Sequence, residues 1–382
     1  MKIRTGHIIK TVFAFAVLWT SLSCNFDLSQ TVVKPDKVEL NVGFRMATKA
    51  PGDKNYEEGE TYESVINVSG GDFRIYFFDS DNRFISRFNP SGFIATEGSG
   101  YREYSVTGTT PSSLVVNNRF KVVVLANWPT YPDEDKMRKG QTTIEDLCND
   151  AASQFDQFTS FSLNDGHLIP FYGVREFTGV HFEPDVTTVL SEPVSLLRAV
   201  AKAEVILKTD SSCDLSFGSV QVCRYNQKGY CAPEAYSRSD YDHDGVWDDD
   251  YAESLHLVNG KNDTDGKGDA VNKRLPFLKV DTWEENGSRF EKWIAYLTEY
   301  QNVGANDGYC FIEATFSNQL EGDSPHKIYF AEYSDGLTDN ADTRRLNVER
   351  NNLYRFNVVA TPIQFLVSVD EWVYGGKVHI EM

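Results

Sequence analysis

Cysteine, methionine and tryptophan are scarce in these 382 residues, at 6, 4 and 6 copies. No two cysteines stand as C-x-x-C, which removes zinc-ribbon and dithiol redox chemistry of that pattern. The 7 histidines are scattered, and none belongs to H-E-x-x-H. G-x-S-x-G, the phosphate loop G-x-x-x-x-G-K-[ST] and G-x-G-x-x-G are also missing. Zincin, serine-hydrolase, nucleotide and dinucleotide chemistry therefore have no motif to rest on, and no enzyme is expected. Basic residues are in deficit: 37 Lys and Arg stand against 56 Asp and Glu, for a formal charge of −19. Such a surface repels nucleic acid and anionic lipid and suits divalent cations. Long apolar runs are lacking too. The most apolar stretch, Thr11-Val12-Phe13-Ala14-Phe15-Ala16-Val17-Leu18-Trp19, is too short to span a bilayer.

That stretch has the layout of a signal peptide. Lys2, Arg4 and Lys10 form a charged start, the apolar run follows, and Ser21-Leu22-Ser23-Cys24 closes it. A small residue before Cys24 resembles a bacterial lipobox, although the aliphatic residue stands two positions before the cysteine rather than three. A lipidated Cys24 would be the membrane anchor, since two acyl chains supply the affinity that one does not. The other reading is a plain secretory leader with an incidental cysteine. Beyond it lie Cys148, Cys213, Cys223, Cys231 and Cys310, an odd number that leaves at least one thiol free. Cys223 and Cys231 are near enough in sequence to bridge a hairpin.

What is abundant is aromatic: 25 Phe and 19 Tyr, residues that favour strands. Val38, Leu40, Val42 and Phe44 alternate with polar or small neighbours, the period-two pattern of a strand with one buried face. Arg45 follows, then loop-like sequence from Met46 to Asp53. A core strand followed by a basic residue in a soft loop can be cut away by a protease that reads Arg or Lys. Further strands are expected at 65–68, 72–79 and 83–88, the last two forming a hairpin through Ser80-Asp81-Asn82. Lys121-Val122-Val123-Val124-Leu125 suits a strand in mid-sandwich, and 143–157 is the best helix candidate of the first half. Composition shifts at Ser191-Glu192-Pro193, where the domain boundary is placed. Strands then follow at 194–207, 214–225, 293–298, 308–316, 326–332, 352–359, 365–369 and 377–382. The expected organisation is a leader (1–23), a tether (24–36), an N-terminal β-sandwich (37–192) and a C-terminal one (193–382). An acidic insertion, 238–272, interrupts the second sandwich. The last strand alternates Val378, Ile380 and Met382 with Lys377, His379 and Glu381 behind the flexible pair Gly375-Gly376. Such a strand can add to a neighbour's sheet or pack at home.

Several of these segments, in this order, resemble the fimbrillin family of Bacteroidales, the subunits of type V pili. They are the Cys24 region, the strand ending at Arg45, Val122-Val123-Val124-Leu125-Ala126-Asn127, Leu197-Arg198-Ala199-Val200-Ala201-Lys202-Ala203-Glu204-Val205, Ala295-Tyr296-Leu297-Thr298-Glu299-Tyr300, Glu349-Arg350-Asn351-Asn352-Leu353-Tyr354-Arg355-Phe356 and Val369-Asp370-Glu371-Trp372. The resemblance implies an all-β chain of two tandem transthyretin-like β-sandwiches, exported as a lipoprotein to the outer membrane and cell surface. It implies proteolytic maturation at Arg45, removal of the strand bearing Val38, Leu40, Val42 and Phe44, and refilling of the groove by a neighbour's C-terminal strand, here Val378, Ile380 and Met382. Partners would be other pilus subunits, outer-membrane lipid through Cys24, and a host or bacterial surface receptor. Anchor subunits of the family keep both lipid and first strand.

Two other features stand beside this resemblance. Asp240-Tyr241-Asp242-His243-Asp244-Gly245-Val246-Trp247-Asp248 follows the D-x-D-x-D-G-x-x-D spacing of calcium loops. Asp240, Asp242, Asp244, the Val246 carbonyl and Asp248 are the candidate Ca2+ ligands, although Tyr251 stands where an EF-hand has Glu. Asp263, Asp265 and Asp269 form a second acidic candidate. The alternative for both is a solvated acidic insertion. Trp128, Trp247, Trp283 and Trp293 are candidates for stacking on a sugar, which would make the chain a glycan-binding surface lipoprotein instead.

Overall fold

Where apolar residues alternate, or run unbroken between two layers, the chain forms strands. The computed structural model describes residues 36–47, 63, 65–68, 71–98, 101–149, 151–156, 168–183, 185–210, 215–232, 274–302, 309–317, 324–331, 345–361 and 364–369. The chain divides into two compact units, Met1–Asp36 and Lys37–Met382, and every element named here belongs to the second. Its first strands are β1 (Lys37–Ala47), β2 (Phe73–Asp79), β3 (Phe84–Arg87), β4 (Asn89–Gly98), β5 (Tyr101–Pro111) and β6 (Arg119–Ala126). A short helix, α1 (Ile144–Asn149), precedes β7 (Gln154–Asp156), β8 (Phe171–Thr178), β9 (Thr188–Val189), β10 (Val194–Ser195) and β11 (Leu197–Arg198). Then come β12 (Ala201–Asp210), β13 (Phe217–Cys223), β14 (Lys228–Tyr230), β15 (Leu275–Pro276) and β16 (Leu278–Glu285). The last are β17 (Ser288–Leu297), β18 (Phe311–Phe316), β19 (His326–Tyr329), β20 (Leu353–Thr361) and β21 (Gln364–Val369).

The strands build an all-β architecture of paired sheets. One sheet has the order β10-β1-β5-β4, with β9 also on β1, and faces a sheet of order β11-β8-β6-β2-β3. Their inward residues share one core, which Phe44 of the first sheet and Phe73 of the second bridge at 6.1 Å between rings. A second core lies between the sheets β16-β17-β12-β20-β21 and β15-β13-β18-β19. The run read as a mid-sandwich strand is β6, third of five in its sheet and buried from Phe120 to Ala126. Apart from β7 and β14, strands through Arg198 join the first two sheets and strands from Ala201 the next two. The ladder thus changes over beyond the composition shift at Ser191-Glu192-Pro193. Two features tie the halves together. β14 pairs with β7 across the divide. Arg350, with no exposed side-chain surface, grips Glu299 at 2.7 and 2.9 Å and donates to the carbonyls of Tyr230, Cys231 and Ala232.

Local chemistry explains where the sequence reading holds and where it does not. The β2–β3 hairpin forms as expected: Asn82 takes φ 62°, and the Asp79 carboxylate accepts from the amides of Asp81 and Arg83. Residues 65–68, expected as a strand, form none. Their amides and carbonyls are taken by a local turn, Val68 to Ile66 and Gly71 to Val68, and by the Asn127 side chain. The helix expected over 143–157 stops at Asn149, and its end is claimed by β7. Thr143 and Asp146 cap its start by bonding each other's amides. The β4–β5 and β16–β17 hairpins are not among the strands expected from the sequence. The second carries the strongest short-range hairpin signal, Asn286-Gly287, with both residues at positive φ.

Candidate functional site

β1 is the first strand of the described chain and sits in the interior of its sheet. All eleven of its residues pair antiparallel with β5, from Lys37 opposite Pro111 to Ala47 opposite Tyr101. On its other side it pairs in parallel with β9, through Leu40 and Asn41, and with β10, through Phe44 and Arg45. Leu40, Val42, Phe44 and Met46 have no exposed surface, and Val38 packs partly buried against the same core. Phe44 stacks on Tyr104, ring centres 5.4 Å apart. The outward row is bonded as well. Asn41 exchanges bonds with Ser105 and Thr107, and Thr187 donates to Glu39.

Burying four large apolar side chains, at roughly 1.5–3 kcal/mol each, makes β1 worth about 6–12 kcal/mol to the first core. Taking it away would strip β5 on one side and β9 and β10 on the other of their partners. It would leave an apolar trough with Phe73 of the facing sheet on its floor and Tyr104 and Val106 of β5 along its side. Unpaired backbone beside an apolar trough is costly until another strand fills it.

Arg45 is placed differently from its sequence reading. The sequence predicts that it opens a soft loop, but β1 continues through it to Ala47, and Met46 is wholly buried. The reason is the partner length: β5 reaches Tyr101 and β10 supplies a second side. The Arg45 guanidinium holds one Glu103 carboxylate oxygen through Nε at 3.1 Å and Nη2 at 2.9 Å. The Arg45 carbonyl accepts from the Leu196 amide at 2.8 Å. Glu103 and Leu196 are remote in sequence from Arg45 and carry no motif. The sole signal is the apolar Val194–Leu197 run, which the sequence assigns to a later strand.

The other sequence candidates divide by location. Cys24, Asp240, Asp242, Asp244, Val246, Asp248, Asp263, Asp265, Asp269, Trp247, Gly375, Gly376, Val378, Ile380 and Met382 lie outside the described residues. Among the described residues no three His, Cys, Asp or Glu side chains could hold a metal ion. Trp128 is a core residue, its indole donating to the Phe171 carbonyl at 2.8 Å. Trp283 stacks on Phe290 and Trp293 packs edge-on against Phe217, both in the second half. The structure does not bring these three tryptophans into one platform. Cys148, Cys223, Cys231 and Cys310 are buried free thiols, so the bridge that sequence proximity would allow between Cys223 and Cys231 is not formed. Burial pushes the Cys223 thiol up to about 12 and raises Cys148, Cys231 and Cys310 as well, which disfavours their thiolate forms.

No protein-family model and no curated protein matches the chain. Solved structures do. The tip fimbrial protein Mfa3 of Porphyromonas gingivalis, C-terminally truncated, superposes with a TM-score of 0.50 at 13% identity over 88% of this chain and 100% of that one. A fimbrial assembly protein of Parabacteroides distasonis gives 0.46 at 13% identity, over 88% and 100%. The fimbrial anchor protein Mfa2 of P. gingivalis gives 0.36 at 12% identity, over 89% and 99%. The chain thus has the all-β fold of a fimbrial protein, in agreement with the resemblance its motifs carry. At this identity the likeness is one of fold.

Proposed function

We propose that this chain is a non-enzymatic structural subunit of a fimbrillin-type (type V) pilus at the cell surface, serving adhesion. In this reading β1 is the removable strand. Cleavage after Arg45 releases residues up to that point, and a neighbouring subunit's C-terminal strand takes the vacated place. The observation that carries the reading is the position of β1: interior to its sheet, paired on both sides, with Leu40, Val42, Phe44 and Met46 fully buried. A terminal strand so placed is separable by one cut, and its loss creates a site for one strand of matching alternation. The chain's own alternating end, Val378, Ile380 and Met382, offers that alternation to the next copy. Export and lipidation at Cys24 bring the subunit to the outer membrane, and the acidic loop at Asp240–Asp248 takes Ca2+ as a structural ion.

A second reading has its own observation. The ladder holds Arg45 on both sides and buries Met46, as suits an anchor subunit that keeps its lipid and first strand. Unboiled gel electrophoresis of surface material separates the roles. A subunit that accepts strands gives a ladder of detergent-resistant multimers, and deletion of residues 377–382 collapses the ladder to monomer. A ladder that survives this deletion contradicts donation by that segment.

A further inference from the structure

Resting on the reading of β1 as a strand removed by cleavage at Arg45, we infer that a latch made by Glu103 and Leu196 closes the Arg45–Met46 bond to proteolysis. The bond becomes a substrate only after the C-terminal end of β1 has peeled from the sheet.

Hydrolysis there adds water across one amide: hydroxide goes to the Arg45 carbonyl carbon, and a proton goes to the Met46 nitrogen. An arginine-specific endopeptidase needs two groups to do this. Its specificity pocket must take the Arg45 guanidinium, and its oxyanion-stabilising donors must take the Arg45 carbonyl oxygen. Both groups are engaged within the fold. The guanidinium makes two hydrogen bonds to Glu103 Oε2, with the two side chains only 19% and 31% exposed. The carbonyl oxygen accepts the Leu196 amide at 2.8 Å. The residue on the far side of the bond, Met46, is wholly buried. The strand offers no free edge either, since β5 and β10 flank Phe44 and Arg45. A protease binding its substrate as an added strand therefore finds no backbone to pair with.

The latch also sets where opening starts. β1 ends at Ala47, beside Tyr101 at the tip of the β4–β5 hairpin. The final residues, Met46 and Ala47, are paired by β5 alone, whereas Phe44 and Arg45 are paired on both sides. Peeling from Ala47 meets the Arg45 contacts as its first two-sided obstacle. Cleavage is then a readout of strand opening, and its rate is the open fraction multiplied by the rate on unfolded chain.

The test crosslinks β1 to β5 in the full chain. Gly43 and Ser105 are register partners, and a Cβ at Gly43 meets nothing closer than 3.4 Å. Gly43→Cys with Ser105→Cys, oxidised, is incubated with an arginine-specific endopeptidase, and the new terminus at Met46 is followed by mass. The same chain after reduction and a synthetic peptide of residues 40–50 are run beside it. The inference expects the peptide to be cut quickly, the reduced chain slowly and the oxidised chain not at all. An oxidised chain cut as fast as the reduced one overturns the latch and leaves the cleavage reading standing. A peptide that is cut while wild-type and reduced chains stay whole overturns both. A second variant, Glu103→Gln, is expected to be cut about two- to five-fold faster than wild type, the scale of a part-exposed ion pair. Added salt should speed the wild type and leave Glu103→Gln unchanged, after division by the peptide rate. Equal rates with equal salt response remove Glu103 from the latch.

Discussion

Phe44→Ala tests whether β1 is structural core or a loosely held terminal strand. The ring has no exposed surface, stacks on Tyr104 at 5.4 Å and meets Phe73 across the sandwich at 6.1 Å. Truncating such a ring leaves a cavity between two sheets that cannot close on it, and costs about 3–5 kcal/mol. In urea, with a slope of roughly 3 kcal/mol per molar for a domain of this size, the midpoint of the first transition should fall by about 1 M or more. Glu39→Ala on the same strand faces solvent and should change stability by less than about 0.5 kcal/mol, a midpoint shift of about 0.2 M or less. The assay is urea unfolding followed by tryptophan fluorescence, since Trp128 lies in the same core. A Phe44→Ala midpoint within error of wild type would show that the ring is not part of the packed core. It would mean that β1 contributes no core and that its removal opens no costly trough.

Other outcomes follow from the buried charges. Burial, and then the neighbouring Glu299, push Glu349 up to about 7. The folded chain therefore binds that proton more tightly than the unfolded one. Its stabilising contribution is complete below about 4.5 and fades as pH rises through 7, by up to about 3 kcal/mol. Urea midpoints from pH 5 to 8 should show the decline, and Glu349→Gln should flatten it. Glu204 has the opposite sign. Burial alone would raise its carboxyl, but Lys202, Arg355 and Lys292 overcome this and hold it at about 2. Its contribution is present above about 4.5 and is lost as pH falls toward 2, so Glu204→Gln should weaken the acid limb of the stability profile. Arg350→Met strands the Glu299 carboxylate and frees the carbonyls of residues 230–232. It should cost about 3–5 kcal/mol by thermal unfolding, and Arg350→Met with Glu299→Met should recover much of that.

Much of this fold is legible in the sequence because period-two alternation is a local signal. β1, the β2–β3 hairpin, β12, β18, β20 and the mid-sandwich β6 can each be read from their own residues. What is not legible depends on distant partners. Residues 65–68 have strand composition, yet the Asn127 side chain and a local turn take their backbone bonds. The parallel pairings of β1 with β9 and β10, and of β12 with β20, join segments far apart in the chain. Their register leaves no trace in either segment alone. Arg45 shows the same limit at the candidate site. Its basic side chain and its place behind an apolar strand are sequence facts, but its inclusion in the strand depends on Glu103, Ser195 and Leu196.

The N-terminal sequence and mass of the protein recovered from intact surface fibres decide whether β1 is removed. If β1 is the strand removed, the chain starts at Met46, carries no lipid, and has exchanged β1 for a neighbour's strand. A chain that starts at a lipidated Cys24, with Leu40, Val42 and Phe44 still in place, would contradict it and leave an anchor subunit in its stead.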